Sequence, residues 1–368
     1  MCKKLAFIII LFISVGFQEQ RKSDYSPMFF SMTNEWKDIS KDEFIFEFES
    51  LDTVYHTQIS HQVRLLSNSA GAPRLFFSEI ETPVCADGVC QLAHINVYWD
   101  LLGNYVGYGI SPEFQLTKFE HEQFGKEDYI KLHQLLLDDN SILKRRKVSD
   151  LIDEAPVATS TIDSEVIDGI SGATKTEIAE SLVKGGLYSC YTIWHLVHGE
   201  AQEKMEKYLT SISSDTLMHY FLYAPYNDYQ MFALRELPKE DFKEHATQIL
   251  NIFRTADGVG KAYILKKIPS DILSEKEITS QFYNEFSLID VNSRTLLINR
   301  LKSAHPDAIE ILSNYLDRMT RNQLKLYLKC LNSDPNFISK NCLSNLKKAS
   351  KNTGFTYHYL LREFLNKI

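Results

Sequence analysis

The residues best able to do chemistry lie in one run, Asp168-Gly169-Ile170-Ser171-Gly172-Ala173-Thr174. Asp168-Gly169 and Ser171-Gly172 predict a loop in which glycine permits positive φ and lets the backbone approach a ligand closely. Thr174-Lys175-Thr176-Glu177 fits the capping box, with threonine at the N-cap and glutamate three residues on. The loop therefore delivers a threonine hydroxyl to the positive end of a helix, where free N–H groups and the helix dipole favour a phosphate. As a cap alone, Thr174 is worth about 0.5–2 kcal/mol relative to alanine. Apolar spacing through Ile178, Leu182, Tyr191, Trp194 and Val197 predicts that this helix continues past Gly185-Gly186, which kink it or allow close packing. His195 and His198 share one side of it at i and i+3. They read either as surface or capping imidazoles or as a redox-linked proton or metal pair.

Cysteine offers a second set of candidates. Beyond Cys2 the chain holds Cys85, Cys90, Cys190, Cys330 and Cys342, an odd number that leaves at least one thiol free or shared between chains. Cys85 and Cys90 flank Ala-Asp-Gly-Val, and Asp87-Gly88 is a turn signal, so the two can face each other across a hairpin as a disulfide. The alternative is a metal site completed by His94 or by His195 and His198. Tetrahedral sites use the tighter C-x2-C pair more often, and no metal is assigned.

The elements that must hold these residues divide near residue 200. Residues 17–70 are mixed and polar, an extension of unclear structure. From Leu75 to Ile110 the chain reads as β, with strands over 75–80, 93–99 and 105–110 and a turn at Leu101-Leu102-Gly103-Asn104. Residues 126–137 place Tyr129, Leu132, Leu136 and Leu137 on one helical face. Beyond residue 200 only helical periodicity remains. Ala233-Leu-Arg-Glu-Leu237 recurs as Ile264–Ile268, Leu297–Leu301, Tyr327–Leu331 and Leu360–Phe364, with starts 31, 33, 30 and 33 residues apart. A period near 30 is what stacked helix pairs give, because one pair cannot bury its apolar face alone. An irregular helical bundle is the alternative. The expected class is α+β: a small antiparallel-sheet domain over residues 71–200, then an all-α, HEAT-like repeat domain over 201–368.

Asp168-Gly169-Ile170-Ser171-Gly172-Ala173-Thr174 resembles the D-G-x-S/T-G-A-T flavinylation motif of the FMN-binding domain family. That family includes the C subunit of the sodium-translocating NADH:quinone reductase and the equivalent Rnf subunit. The resemblance covers roughly residues 70–200, and all six defined motif positions match. It implies that FMN is joined through its phosphate to the hydroxyl of Thr174, by an exported flavin transferase acting on FAD with magnesium. Asp168 and Gly169 would be motif residues for recognition; Ser171, Gly172 and Ala173 would shape the loop around the phosphate. Thr176 falls where many members carry a hydroxyl. The glycine-rich strand usual upstream is represented by Gly103, Gly107 and Gly109. Tyr98, Trp99, Tyr105, Tyr108, Tyr188, Tyr191 and Trp194 are the aromatics available either to a flavin ring or to the core.

The N-terminus agrees with export. Lys3-Lys4 precede a 13-residue apolar run, Leu5–Phe17, and Ser14 and Gly16 suit a signal peptidase. The run is short for a membrane span, so residues 1–16 read as a signal peptide and the remainder as periplasmic or envelope-associated. A 44% hydrophobic fraction excludes a disordered tail, and a net charge of −8 disfavours nucleic acid. Nucleophile-elbow, P-loop, dinucleotide and H-E-x-x-H signatures are missing. The chain thus reads as an exported flavoprotein carrying electrons, rather than a turnover enzyme, with a membrane or periplasmic redox partner. The alternative is a non-redox envelope scaffold using the helical half, its flavin domain degenerate.

Overall fold

A computed structural model describes residues 39–51, 58–84, 92–110, 114–118, 121–145, 182–333 and 338–368. The signal-peptide reading, the Cys85–Cys90 pair and the Asp168–Thr176 motif lie outside these residues. The chain forms two compact units, one ending at Ile212 and one running from Ser213 to Ile368. Its layout is α+β: an N-terminal antiparallel sheet followed by helices.

The sheet is a five-stranded meander in sequential order: β1 (Ile39–Leu51), β2 (Gln58–Asn68), β3 (Pro73–Pro83), β4 (Leu92–Trp99) and β5 (Tyr105–Ile110). The last three strands sit where β-branched and aromatic residues predict them. The first two lie in the stretch read above as a polar extension, so the sheet begins some 36 residues before Leu75. The reason is β1's place at the edge. It alternates Phe46 and Phe48 toward the core with Glu47 and Glu49 away from it, and edge strands carry charge that keeps them from pairing further. Side-chain acceptors close the hairpins. Asn68 Oδ1 accepts from the Ala72 amide at 2.9 Å, and Asp100 Oδ1 accepts from Leu102 and Asn104 at 2.8 and 2.9 Å.

Among the described residues this unit adds three α-helices: α1 (Lys126–Leu136), α2 (Leu187–His198) and α3 (Glu200–Ser211). The continuous helix expected through Leu182 to Val197 does not form. Residues 182–186 are non-helical, and Gly185 at φ +74° holds a left-handed conformation that a right-handed helix cannot continue through. Helix α2 starts only at Leu187. Gly199 then separates α2 from α3, and a Cβ there would lie 2.4 Å from the His195 carbonyl oxygen. Helix α3 packs on β1: Lys204 Nζ donates to the Glu47 carbonyl at 2.7 Å, and Tyr208 meets Phe46 and Phe76. The boundary therefore falls after Ile212 and not at residue 200, because the apolar face of α3, with Met205 and Leu209, is buried in the sheet unit.

The second unit is built from helix pairs: α4 (Asp215–Tyr223) with α5 (Asn227–Glu236), α6 (Ala246–Thr255) with α7 (Gly258–Lys267), α8 (Lys276–Asn284) with α9 (Val291–Asn299), α10 (Asp307–Ser313) with α11 (Arg321–Ser333), and α12 (Lys340–Lys351) with α13 (His358–Leu365). First helices α6, α8, α10 and α12 pack one on the next, as do second helices α7, α9 and α11. The recurring five-residue pattern falls on the second helix of each pair. Its first, second and fifth residues are buried in four of the five copies, for example Ile264, Leu265 and Ile268 or Tyr327, Leu328 and Leu331. The side chains between them turn outward, where several reach the preceding pair. Arg300 donates to the carbonyls of Leu265 and Ile268 at 3.1 and 2.7 Å, serving the end of α7 and favoured there by its dipole.

Candidate functional site

The structure describes the sheet and helix α2, which follows the motif in the chain, but not the motif itself. Helix α2 is pinned on several sides by donors that reach main-chain carbonyls. Trp99 Nε1, from the end of β4, donates to the Val197 carbonyl at 2.9 Å. Trp194 Nε1 donates to the Asp138 carbonyl at 3.0 Å, and Ser189 Oγ to the Thr117 carbonyl at 2.9 Å. His195 Nε2 donates to the Leu143 carbonyl at 3.1 Å, and His198 Nε2 to that of Leu136 at 2.8 Å. Leu136 and Asp138 lie at the end of α1, where carbonyls have no partner within the helix. Leu143 lies in the turn at Ile142–Arg145, Thr117 precedes α1 and Val197 is on α2 itself. One helix face thus supplies caps for another element.

In this geometry both histidines act as caps. Both rings spend Nε2 on a carbonyl, and burial lowers both pKa values. They are neutral, positioning imidazoles near pH 7. The described residues include no group of three or more His, Cys, Asp or Glu able to hold a metal ion. Cys190 is fully buried on the same helix, and burial pushes its thiol up to about 12, which removes it as a nucleophile. Cys330 and Cys342 are also free thiols raised by burial.

Most of the aromatic candidates are core. Tyr98, Trp99, Tyr105, Tyr108 and Trp194 are buried, while Tyr188 and Tyr191 are half-buried on α2. Tyr108 donates its hydroxyl to the Tyr129 carbonyl at 2.8 Å, and Tyr129 in turn accepts from the Leu116 amide at 3.1 Å. Tyr105 and His133 share a hydrogen bond of 2.9 Å. Strand register sorts these residues by face. Trp99 pairs with Tyr105, and Val97 with Tyr108, on the side covered by the helices. Tyr98 pairs with Gly107, and Asn96 with Gly109, on the other side, so β5 presents no side chain there at two successive positions. Phe77 lies next to Tyr98 on that second face, its ring 5.0 Å away.

One further feature was not legible in the sequence. Strands β2 and β3 pair only between Arg64↔Phe77 and Ser67↔Pro73, although each pairs along most of its length with its other neighbour. Beyond that point they splay apart, linked by Ser78 Oγ donating to the Gln62 carbonyl at 2.8 Å. The opening is a groove of about 550 Å³ lined by Ile59, Ser60, His61, Gln62, Arg64, Glu79, Glu81, Pro83 and Leu92. His61 lies 2.8 Å from Ser50 Oγ, and burial lowers its pKa. Arg64 is held by Asp42 at 3.0 Å, and Glu81 faces His94 at 3.7 Å. The lining mixes apolar Ile59, Pro83 and Leu92 with polar side chains, several of them already paired. No local sequence signal marks it, because it arises from where two strands stop pairing.

The chain matches no known protein family, no curated protein and no solved structure.

Proposed function

We propose that this chain is an exported flavoprotein that carries electrons, with FMN joined through its phosphate to Thr174. The observation that carries the reading is the complete motif Asp168-Gly-Ile-Ser-Gly-Ala-Thr174 at the predicted entrance to a helix. Attachment by an exported transferase joins the Thr174 oxygen to the FMN phosphorus of FAD and breaks the pyrophosphate bond. AMP leaves, and the hydroxyl proton goes to solvent. Bound flavin would supply the one- and two-electron chemistry. On β5, Gly107 and Gly109 leave a strip without side chains beside Tyr98 and Phe77, but all four residues are buried, so the reading rests on the motif and not on this face. Helix α2, downstream of the motif, is held to its neighbours by five side-chain donors. The partners would be the flavin transferase and a membrane or periplasmic redox protein.

The regular stacking of helix pairs supports a second reading, a HEAT-like scaffold whose sheet unit is structural. One experiment separates the two. The full chain is co-expressed with a flavin transferase, denatured and examined for in-gel fluorescence and intact mass. A mass gain of FMN less water that disappears in Thr174→Ala is the expected result. An unmodified chain beside an active transferase would leave the scaffold reading standing alone.

A further inference from the structure

The helical unit has an edge that the flavin reading does not use. Residues 291–368 contain 13 Lys and Arg against 5 Asp and Glu, so a net +8 sits on a chain whose total is −8. In the earlier pairs three exposed cations meet carboxylates: Lys243 with Glu275, Arg254 with Glu285, Lys276 with Asp307. Arg318, Arg321, Lys347, Lys348 and Lys351 are exposed, and among the described residues no ion pair engages them. Arg318 and Arg321 lie at the turn between α10 and α11, and Lys347, Lys348 and Lys351 on the C-terminal part of α12, before its turn to α13.

Apolar side chains stand out from the corresponding turns of the second and third pairs, and Tyr359 from that of the last. Val259 is 78% exposed, Leu288 79%, Val291 49% and Tyr359 37%. The turns are neighbours in space. Gly258 lies against the Asp290 carboxylate, Arg294 donates to the Arg318 carbonyl at 2.8 Å, and Asn345 donates to Ser313 and Asn314 at 2.8 and 2.9 Å. The acidic residues of this edge are largely engaged. Asp257 and Asp290 cap helix N-termini, and Glu285 holds Arg254; Asp317 alone sits exposed among the cations.

We propose that this edge docks on an anionic lipid bilayer. Scattered single apolar tips, at most two per pair at roughly 8–10 Å per pair, do not make the clustered pocket on which a protein hot spot depends. They suit a bilayer interface, which accepts separate apolar groups at headgroup depth while flanking Lys and Arg meet anionic headgroups. The proposal stands whether or not Thr174 carries flavin.

The test is co-sedimentation of the full chain with vesicles of phosphatidylglycerol and phosphatidylcholine, against phosphatidylcholine alone. The Leu5–Phe17 run can enter either bilayer, so the readout is the preference for anionic vesicles. That preference is expected, is expected to weaken as salt rises, and is expected to fall about fivefold for each of Lys347→Gln, Lys348→Gln and Lys351→Gln. Leu288→Asp should weaken binding further, and Thr174→Ala should leave it unchanged. Circular dichroism checks that each variant is folded. Equal binding to both vesicle types, or an anionic preference untouched by these substitutions, overturns the proposal. So does capture of an acidic protein by this edge without vesicle binding.

Discussion

The two units reach stability by different routes. In the sheet unit, side chains far apart in sequence are each used once. Trp99 reaches Val197 and His195 reaches Leu143, with no common interval. In the helical unit the contacts recur about one pair apart: Lys243 to Glu275, Arg254 to Glu285, Arg300 to Ile268, Gln323 to Val291, Asn341 to Glu310. The first pattern concentrates stability in a few buried groups. The second spreads it over repeats, each leaning on its neighbours. A lesion should therefore be severe and global in the first unit, graded and local in the second.

The three tryptophans, Trp36, Trp99 and Trp194, all precede Ser213, so their fluorescence reports the first unit, while far-ultraviolet dichroism is dominated by the helices. The largest effect is expected for Trp99→Ala. Removing a fully buried indole costs about 3–5 kcal/mol, and the Val197 carbonyl also loses its donor. The remaining tryptophan signal should unfold at much lower urea while the helical signal largely persists. A matched shift of both probes would break the comparison, since the units would then unfold as one. Gln323→Ala comes next. Gln323 is buried and donates to the Val291 carbonyl and Thr295 Oγ1 while accepting from the Thr320 amide. Leaving these unserved should cost about 1–3 kcal/mol, seen in dichroism and not in fluorescence.

A pH effect should single out the first unit. Burial lowers the folded pKa values of His61, His133, His195 and His198 below those of the unfolded chain. The unfolded chain then binds more protons as pH falls through the usual histidine range. Stability is full above roughly pH 6.5 and declines as acidification proceeds toward the lowered folded values. The fluorescence midpoint in urea should drop between pH 7 and pH 5, and less so in His198→Gln. The smallest change is expected for Arg254→Ala, an exposed partner of Glu285: within about 1 kcal/mol, read from the dichroism midpoint.

Strands β3 to β5 and helix α1 were legible because local composition and spacing agree with the fold. The repeat was legible because one buried pattern returns at a steady interval. Strand β1 was not, since an edge strand rich in Asp and Glu looks like a polar linker. The break before α2 was hidden for a different reason. Periodicity counts apolar residues and is blind to a left-handed Gly185. Of the candidate site, the sequence marks the Asp168–Thr174 motif. It does not sort Tyr98 and Tyr108 onto opposite faces, because neighbouring aromatics in a strand differ only in register.

What the sequence determines by itself is therefore the local and the repetitive: the Asp168–Thr174 motif, an apolar N-terminal run, strands with strong β character and a period near 30. Each depends on neighbours within a few residues or on a pattern repeated often enough to be seen. Tertiary structure alone decides which side chains are spent. His195 and His198 become carbonyl donors, Trp99 and Trp194 become clamps, and Cys190 becomes an inert thiol. Each outcome depends on burial and on carbonyls tens of residues away. It also decides that cations in the last pairs stand unneutralised on one edge beside exposed apolar tips, because stacking brings the turns of separate pairs into line.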